Sequence, residues 1–434
     1  MLKKIIGPGS LLSNRSPFIQ NTLKLVLGSG IAQVITFLVS PVLTRLYTPE
    51  DLGLFTFFIS IVGLLALIAT LRYEIAIIFP KEDSDAVNIA SLSVIIAFGI
   101  SFLLLILVLL YHFFLTGLIP LNPVLSRWLY LLPVLVFFLG LGNIFSNWMI
   151  RKKKYRFLSA GKIINSLGNN LTALFLGLIG IGAWGLLIGN FTGTFLFILF
   201  LGFCISRSGQ FRRDEFDRSS VVNFARKYKD LPTSNTLQSI LETLQNYGII
   251  YLAKIFFSST VVGFYALSLR ILQAPLWLIG SSISQVYMKD AAERYNKNEN
   301  LEELLIKTIK LSGLVALPVL IVLLAAGPWL FAFIFGSAWR EAGVYAQILA
   351  PWMFFDFIRY CIAQSPLIVG KTRSMFYISV IGNVIMITCF CIGGWVFRDV
   401  KTGFLLISVF MSMYAIGVVL WIRTIVKPVK KIIE

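Results

Sequence analysis

Twelve runs of predominantly apolar residues, at 25–44, 52–79, 87–111, 128–148, 163–181, 184–206, 233–255, 264–286, 311–335, 342–369, 374–397 and 402–424, take up most of this 434-residue chain. A helix needs roughly 20 such residues to cross the hydrocarbon of a bilayer, so the runs are long enough to span, and the longest must tilt or protrude. Only 13% of the residues are charged and 57% are hydrophobic, more apolar surface than a water-soluble fold could hide. The sequence therefore predicts an all-α membrane protein of about 12 transmembrane helices with no soluble domain of any size.

A formal net charge of +18 would point to nucleic acid in a soluble chain. Here it follows membrane sidedness, and no nucleic-acid partner is expected. Sorting Lys and Arg by alternate sides of the twelve spans puts 31 on the side of both termini and six on the other, with Arg270 inside a helix. The positive-inside rule then places both termini in the cytoplasm. The run Arg151-Lys152-Lys153-Lys154 reads as a topology signal or, alternatively, as a contact for anionic lipid headgroups. Residues 1–24 lack the apolar core and cleavage site of a signal peptide, so the first helix is expected to serve as both anchor and targeting signal. Cys204, Cys361, Cys389 and Cys391 all lie in apolar runs and read as packing residues, not as disulfides or metal ligands.

The longest polar loop, 207–230, falls at the midpoint and suggests two six-helix lobes, 1–206 and 231–434, about a central cavity. Weak internal similarity agrees. Leu43-Thr44-Arg45-Leu46 leads to Gly53-Leu54-Phe55, as Leu252-Ala253-Lys254-Ile255 leads to Gly263-Phe264-Tyr265. Pro133 and Pro351 each precede a lysine by 20 residues and then a Gly-Asn pair, Gly168-Asn169 and Gly382-Asn383. Parallel repeats of this kind are found in transporters that rock about a central site.

The chain contains no P-loop, no His-Glu-x-x-His and no Gly-x-Ser-x-Gly. Its single histidine, His112, sits at the outer end of the third run. No enzymatic activity, cofactor or metal is expected. What remains are polar residues inside apolar helices, where they are expensive and mark functional positions. In the seventh run Asn235, Gln238, Ser239, Glu242 and Asn246 recur at helical spacing and must face protein or water. Glu242 is either an ion-coupling carboxyl or a polar interhelical contact. In the eighth, Arg270, Gln273, Trp277, Ser281 and Ser284 form a similar stripe. Arg270 cannot shed its charge and needs an anion, supplied either by Glu242 or by a substrate phosphate. Asp356 and Arg359, three residues apart, can pair with each other, and Arg72 with Glu74 leaves the same ambiguity. In the first run Ser29, Gln33, Thr36, Ser40 and Thr44 share one face that ends at Pro41 and Arg45. The expected substrate site is thus a cationic cleft of Arg45, Arg72, Arg270 and Arg359 with Gln33, Asn235, Gln238 and Gln273. Glu242, Asp356 and Glu74 are the ion-coupling candidates.

The stretch Ser40-Pro41-Val42-Leu43-Thr44-Arg45-Leu46-Tyr47-Thr48-Pro49-Glu50-Asp51-Leu52-Gly53, followed by Leu71-Arg72-Tyr73-Glu74-Ile75-Ala76-Ile77, resembles the opening of Wzx-type polysaccharide flippases of the multidrug/oligosaccharidyl-lipid/polysaccharide (MOP) superfamily. Gly263-Phe264-Tyr265-Ala266, Arg270-Ile271-Leu272 and Phe335-Gly336 to Trp339 are similar to the same group. The resemblance covers nearly the whole chain. It implies a two-lobed bundle in the bacterial inner membrane that moves an undecaprenyl-diphosphate-linked oligosaccharide from the cytoplasmic to the periplasmic leaflet. Membrane lipids and a polysaccharide polymerase machinery are the partners it implies. Movement would be driven by an H+ or Na+ gradient or by the lipid's own concentration difference. Lipid II flippases resemble this layout but usually carry two further C-terminal helices. Twelve-helix multidrug or cation extruders of the superfamily are the alternative, although an arginine-rich cleft would repel cationic cargo. A non-transporting membrane scaffold is a third reading, disfavoured by the polar stripes.

Overall fold

The computed structural model describes residues 17–116, 122–207, 217–232, 236–297 and 299–426. Among these, the regular elements are all helical. In chain order they are α1 (Pro17–Leu46), α2 (Pro49–Ile68), α3 (Asp83–Leu110), α4 (Pro123–Trp128), α5 (Leu132–Arg151), α6 (Tyr155–Ile179), α7 (Ala183–Arg207) and α8 (Arg218–Lys227). There follow α9 (Thr236–Phe256), α10 (Ser259–Asn296), α11 (Leu301–Phe335), α12 (Arg340–Cys361), α13 (Ser365–Ile368), α14 (Thr372–Cys391) and α15 (Val400–Val426). Twelve of these described helices have 20 residues or more, one for each apolar run. Eight spans are long and apolar enough to cross a membrane, nine when the bent α10 is counted whole. The three that fall short, α6, α9 and α12, are richer in polar residues, the composition of helices that need not face lipid on every side. The chain is a multi-pass membrane protein.

The second run departs from the single tilted span expected of it. α2 stops at Ile68, Leu71 and Arg72 take positive φ (48° and 63°), and a 3-10 turn follows over Tyr73–Ile78. The break is held by side chains: Thr70 donates to the Glu74 carboxylate, and Arg72 lies 3.6 Å from it. A buried carboxylate is satisfied more cheaply by local donors than by continuing the helix through lipid.

Contacts divide the chain into two compact units, Met1–Val39 with Phe58–Leu244 (unit 1) and Ser40–Phe57 with Gln245–Glu434 (unit 2). In unit 1, α6 ends at Gly180 (φ +79°) and packs against α7. The approach is backbone to backbone. A Cβ on Gly193 would fall 2.5 Å from the carbonyl oxygen of Asn165, and one on Gly189 2.7 Å from that of Asn169. Small residues four apart let membrane helices come this close. Arg151 at the end of α5 donates to the carbonyls of Pro80 (2.5 Å) and Glu82 (2.8 Å) and pairs with Asp83 at 3.1 Å, while Lys152 pairs with the same carboxylate. Two of the four cations at 151–154 therefore tie α5 to the start of α3.

Unit 2 is organised around α12, which packs against α10, α11 and α15 and buries Ala346, Leu349 and Phe357. Gly343 lies against Gly327, whose carbonyl oxygen would be 2.5 Å from an added Cβ. Phe404 of α15 gathers Tyr265 and Tyr345 at ring separations of 5.1 and 4.9 Å. The α1–α2 turn belongs here too: the Trp339 indole donates to the Thr44 carbonyl at 2.6 Å.

Candidate functional site: a polar cavity in each unit

Unit 1 holds a cavity of about 330 Å³ lined by Ser29, Gln33 and Thr36 of α1 and by Lys162, Asn165 and Asn169 of α6, among others. Among the described residues the lining includes no carboxylate. Lys162 Nζ donates to Ser29 Oγ at 2.9 Å. Deeper along the same two helices, Ser166 donates to the Ala32 carbonyl at 2.8 Å, and Asn170 reaches Thr36 at 3.2 Å. These bonds join α1 to α6 by side chains that hydrocarbon could not solvate. Gln33 is among the residues the sequence marks, whereas Lys162, Asn165 and Asn169 are not, because Lys162 falls just outside the apolar run 163–181 and reads as a loop cation. The signal was present: 162, 165, 166 and 169 fall at i, i+3, i+4 and i+7, one helix face.

Unit 2 holds a second cavity, about 340 Å³, whose polar lining includes Gln273 of α10, Asp356 and Arg359 of α12 and Asn383 of α14. Trp352, Tyr265 and Tyr360 add aromatic walls. Arg359 donates to Asp356 Oδ1 through Nη2 (2.7 Å) and Nε (2.8 Å), so this arginine arrives already neutralised.

The other expected site residues fall elsewhere. Arg45 is directed to the end of α11, where Nη2 donates to the carbonyls of Phe333 (3.4 Å) and Ile334 (3.5 Å). A cation at a helix C-terminus satisfies carbonyls that have no intrahelical partner. Arg72 and Glu74 form the helix-break pair of unit 1. Arg270 is partly buried on α10, outside the lining of the unit 2 cavity, and no hydrogen bond or ion pair engages it among the described residues. Asn235 and the side chains of Gln238 and Glu242 lie outside the described residues, so the Arg270–Glu242 pairing does as well. His112 rests 4.3 Å from the Tyr130 ring and 3.4 Å from Ser126 Oγ. The four cysteines are free thiols, buried or half-buried. Among the described residues no group of three His, Cys, Asp or Glu could hold a metal ion.

Solved structures share this all-helical membrane fold. The inward-facing conformation of a multidrug resistance MATE family transporter of the MOP superfamily superposes with a TM-score of 0.66 at 16% identity, over 93% of this chain and 97% of that one. The outward-facing conformation of such a transporter gives 0.56 at 14% identity, over 94% and 95%. A MOP superfamily transporter from Pyrococcus furiosus, described as having a binding pocket of reverse polarity that suggests a different function, also gives 0.56 at 14% identity, over 94% and 95%. At these identities the likeness is one of fold. No curated protein sequence matches the chain significantly. The profile of a family described as polysaccharide biosynthesis protein matches residues 42–344, and the chain belongs to that family.

Proposed function

We propose that this protein is a transporter that flips an undecaprenyl-diphosphate-linked oligosaccharide from the cytoplasmic to the periplasmic leaflet of a bacterial inner membrane by alternating access. The observation that carries the reading is the unit 1 cavity, where Lys162 and a set of amides and hydroxyls line the wall with no carboxylate among the described residues. Such a wall suits an anionic, hydroxyl-rich cargo and repels a cation, which weighs against the multidrug and cation extruder alternative. Family membership supports the link to polysaccharide synthesis. Within unit 2, Arg270, with no partner among the described residues, is proposed in its own right as a cation that attracts the pyrophosphate. Glu242, Asp356 and Glu74 stay the proposed ion-coupling carboxyls, and a polymerase machinery the proposed downstream partner.

The test is reconstitution. Proteoliposomes carrying a fluorescent undecaprenyl-diphosphate-linked sugar should show loss of label from one leaflet at a rate set by protein content. Transport of ethidium with no movement of the lipid would replace this reading with the extruder. Both termini are proposed to be cytoplasmic; a cysteine at 338 should react with an impermeant thiol reagent in intact spheroplasts and one at 213 should not, and the reverse pattern would invert the topology.

A further inference from the structure

Among the described residues the charges lining the unit 2 cavity cancel, unlike those in unit 1. Both Arg359 donors converge on one oxygen of Asp356, Oδ1. Asp356 Oδ2 and Arg359 Nη1 keep no partner among the described residues, and both side chains line the cavity. A hydroxyl that donates to Oδ2 beside one that accepts from Nη1 would complete the pair without adding charge. The Gln273 amide is exposed and forms no hydrogen bond with a described residue. Asn383 spends its Nδ2 on the Ser379 carbonyl at 2.8 Å, which leaves its Oδ1 as an acceptor.

The aromatic wall points the same way. Trp352 is nine-tenths buried, at 9% exposure, and its indole N–H has no partner among the described residues. That N–H is sealed from the cavity, so what Trp352 presents to a ligand is ring surface and not a donor. Tyr265, Tyr360 and Trp352 add apolar ring surface beside these polar groups. The volume of about 340 Å³ holds on the order of ten waters at roughly 30 Å³ each, ample for one pyranose ring. An anion here would meet Asp356 and a cation would meet Arg359. A neutral molecule with alternating donors and acceptors and an apolar C–H face meets a complement to each of its parts.

We propose that the unit 2 cavity is a saccharide subsite, which takes a neutral sugar ring of the lipid-linked cargo while the pyrophosphate is held elsewhere. The inference rests on the flippase reading above. Its ligand class is set by Asp356, Arg359, Gln273, Asn383 and Trp352, and it gives the Asp356–Arg359 pair a recognition role in place of a share in a cationic cleft.

The test uses purified full-length protein in nanodiscs, titrated with a short-chain polyprenyl pyrophosphate that is bare or carries glucose, galactose, N-acetylglucosamine or N-acetylgalactosamine. At least one sugar-bearing lipid should bind roughly tenfold tighter than the bare lipid, the size expected for hydrogen bonds to charged groups. Asp356→Ala, and separately Gln273→Ala combined with Asn383→Ala, should erase that increment, read within each variant as the ratio of sugar-bearing to bare-lipid affinity. The subsite is overturned if no sugar improves on bare pyrophosphate, or if the increment survives both variants. Saturation-transfer NMR with methyl glycosides of the same sugars separates the two readings. Glycoside signals that vanish in Asp356→Ala, from a protein that ignores the bare lipid, would overturn the flippase and keep the subsite.

Discussion

Gly53 and Gly263 occupy each other's side-chain space: a Cβ on Gly53 would collide with the carbonyl oxygen of Ser259, and one on Gly263 with that of Pro49. Each carbonyl lies four residues before the other glycine, so the contact is reciprocal, as it is across a twofold axis. The two glycines also open the similar tripeptides Gly53-Leu54-Phe55 and Gly263-Phe264-Tyr265. Gly53→Ala or Gly263→Ala should force the starts of α2 and α10 apart at a cost of about 1–3 kcal/mol, typical of overpacking. Thermal unfolding in detergent measures it. Because both variants open one contact, the double variant should lose less than the sum of the singles; strict additivity would show that the two glycines act independently.

Lys162 should matter to transport more than its place near a helix end suggests. Lys162→Gln removes the cation from the unit 1 cavity and keeps a donor for Ser29. The initial flipping rate in proteoliposomes should fall at least about tenfold, as expected for a lost charge-assisted bond. Lys162→Arg should recover part of it. A parental rate in Lys162→Gln would take the residue out of the site.

Arg270 carries the proposed pyrophosphate contact, and Glu242 the proposed coupling. Arg270→Ala should abolish flipping at normal protein levels, with Arg270→Lys only partly active because an ammonium lacks the planar fork. Glu242→Gln should flip without responding to an imposed pH gradient, since it keeps shape and removes titration. Full gradient response in that variant assigns coupling to another carboxyl, with Asp356 next.

Asp399, just before α15, is a capping residue with a pH signature. Its carboxylate accepts from the Thr402 hydroxyl (2.7 Å) and backbone N–H (2.9 Å), and the Thr402 side chain foremost holds its pKa below the usual carboxylate range. The stabilisation from a lowered pKa is fully present above the unfolded value and fades as pH falls through the folded one. Asp399→Asn should therefore lower the melting temperature at pH 7 and converge with the parent as the pH drops below 4. A gap that is constant with pH would assign the effect to capping geometry alone.

The helical class and the places of the long helices were legible in the chain because a bilayer enforces a local rule: backbone groups bond within their own segment, so apolar length alone marks a span. The polar positions Gln33, Gln273, Asp356 and Arg359 were legible for the same reason, since each stood out against an apolar run. Their partners were not. Arg45 meets a carbonyl 288 residues away and Lys162 a hydroxyl 133 away. Whether a cation attracts a ligand, ends a helix or neutralises a carboxylate depends on what the fold brings to its head group, and charge interactions fall away over a few ångströms in space, whatever the distance along the chain. The sequence by itself determined that the charges within the spans needed partners. Only the tertiary structure decided that Arg45 found backbone, Arg359 found Asp356, and Lys162 was left facing a cavity.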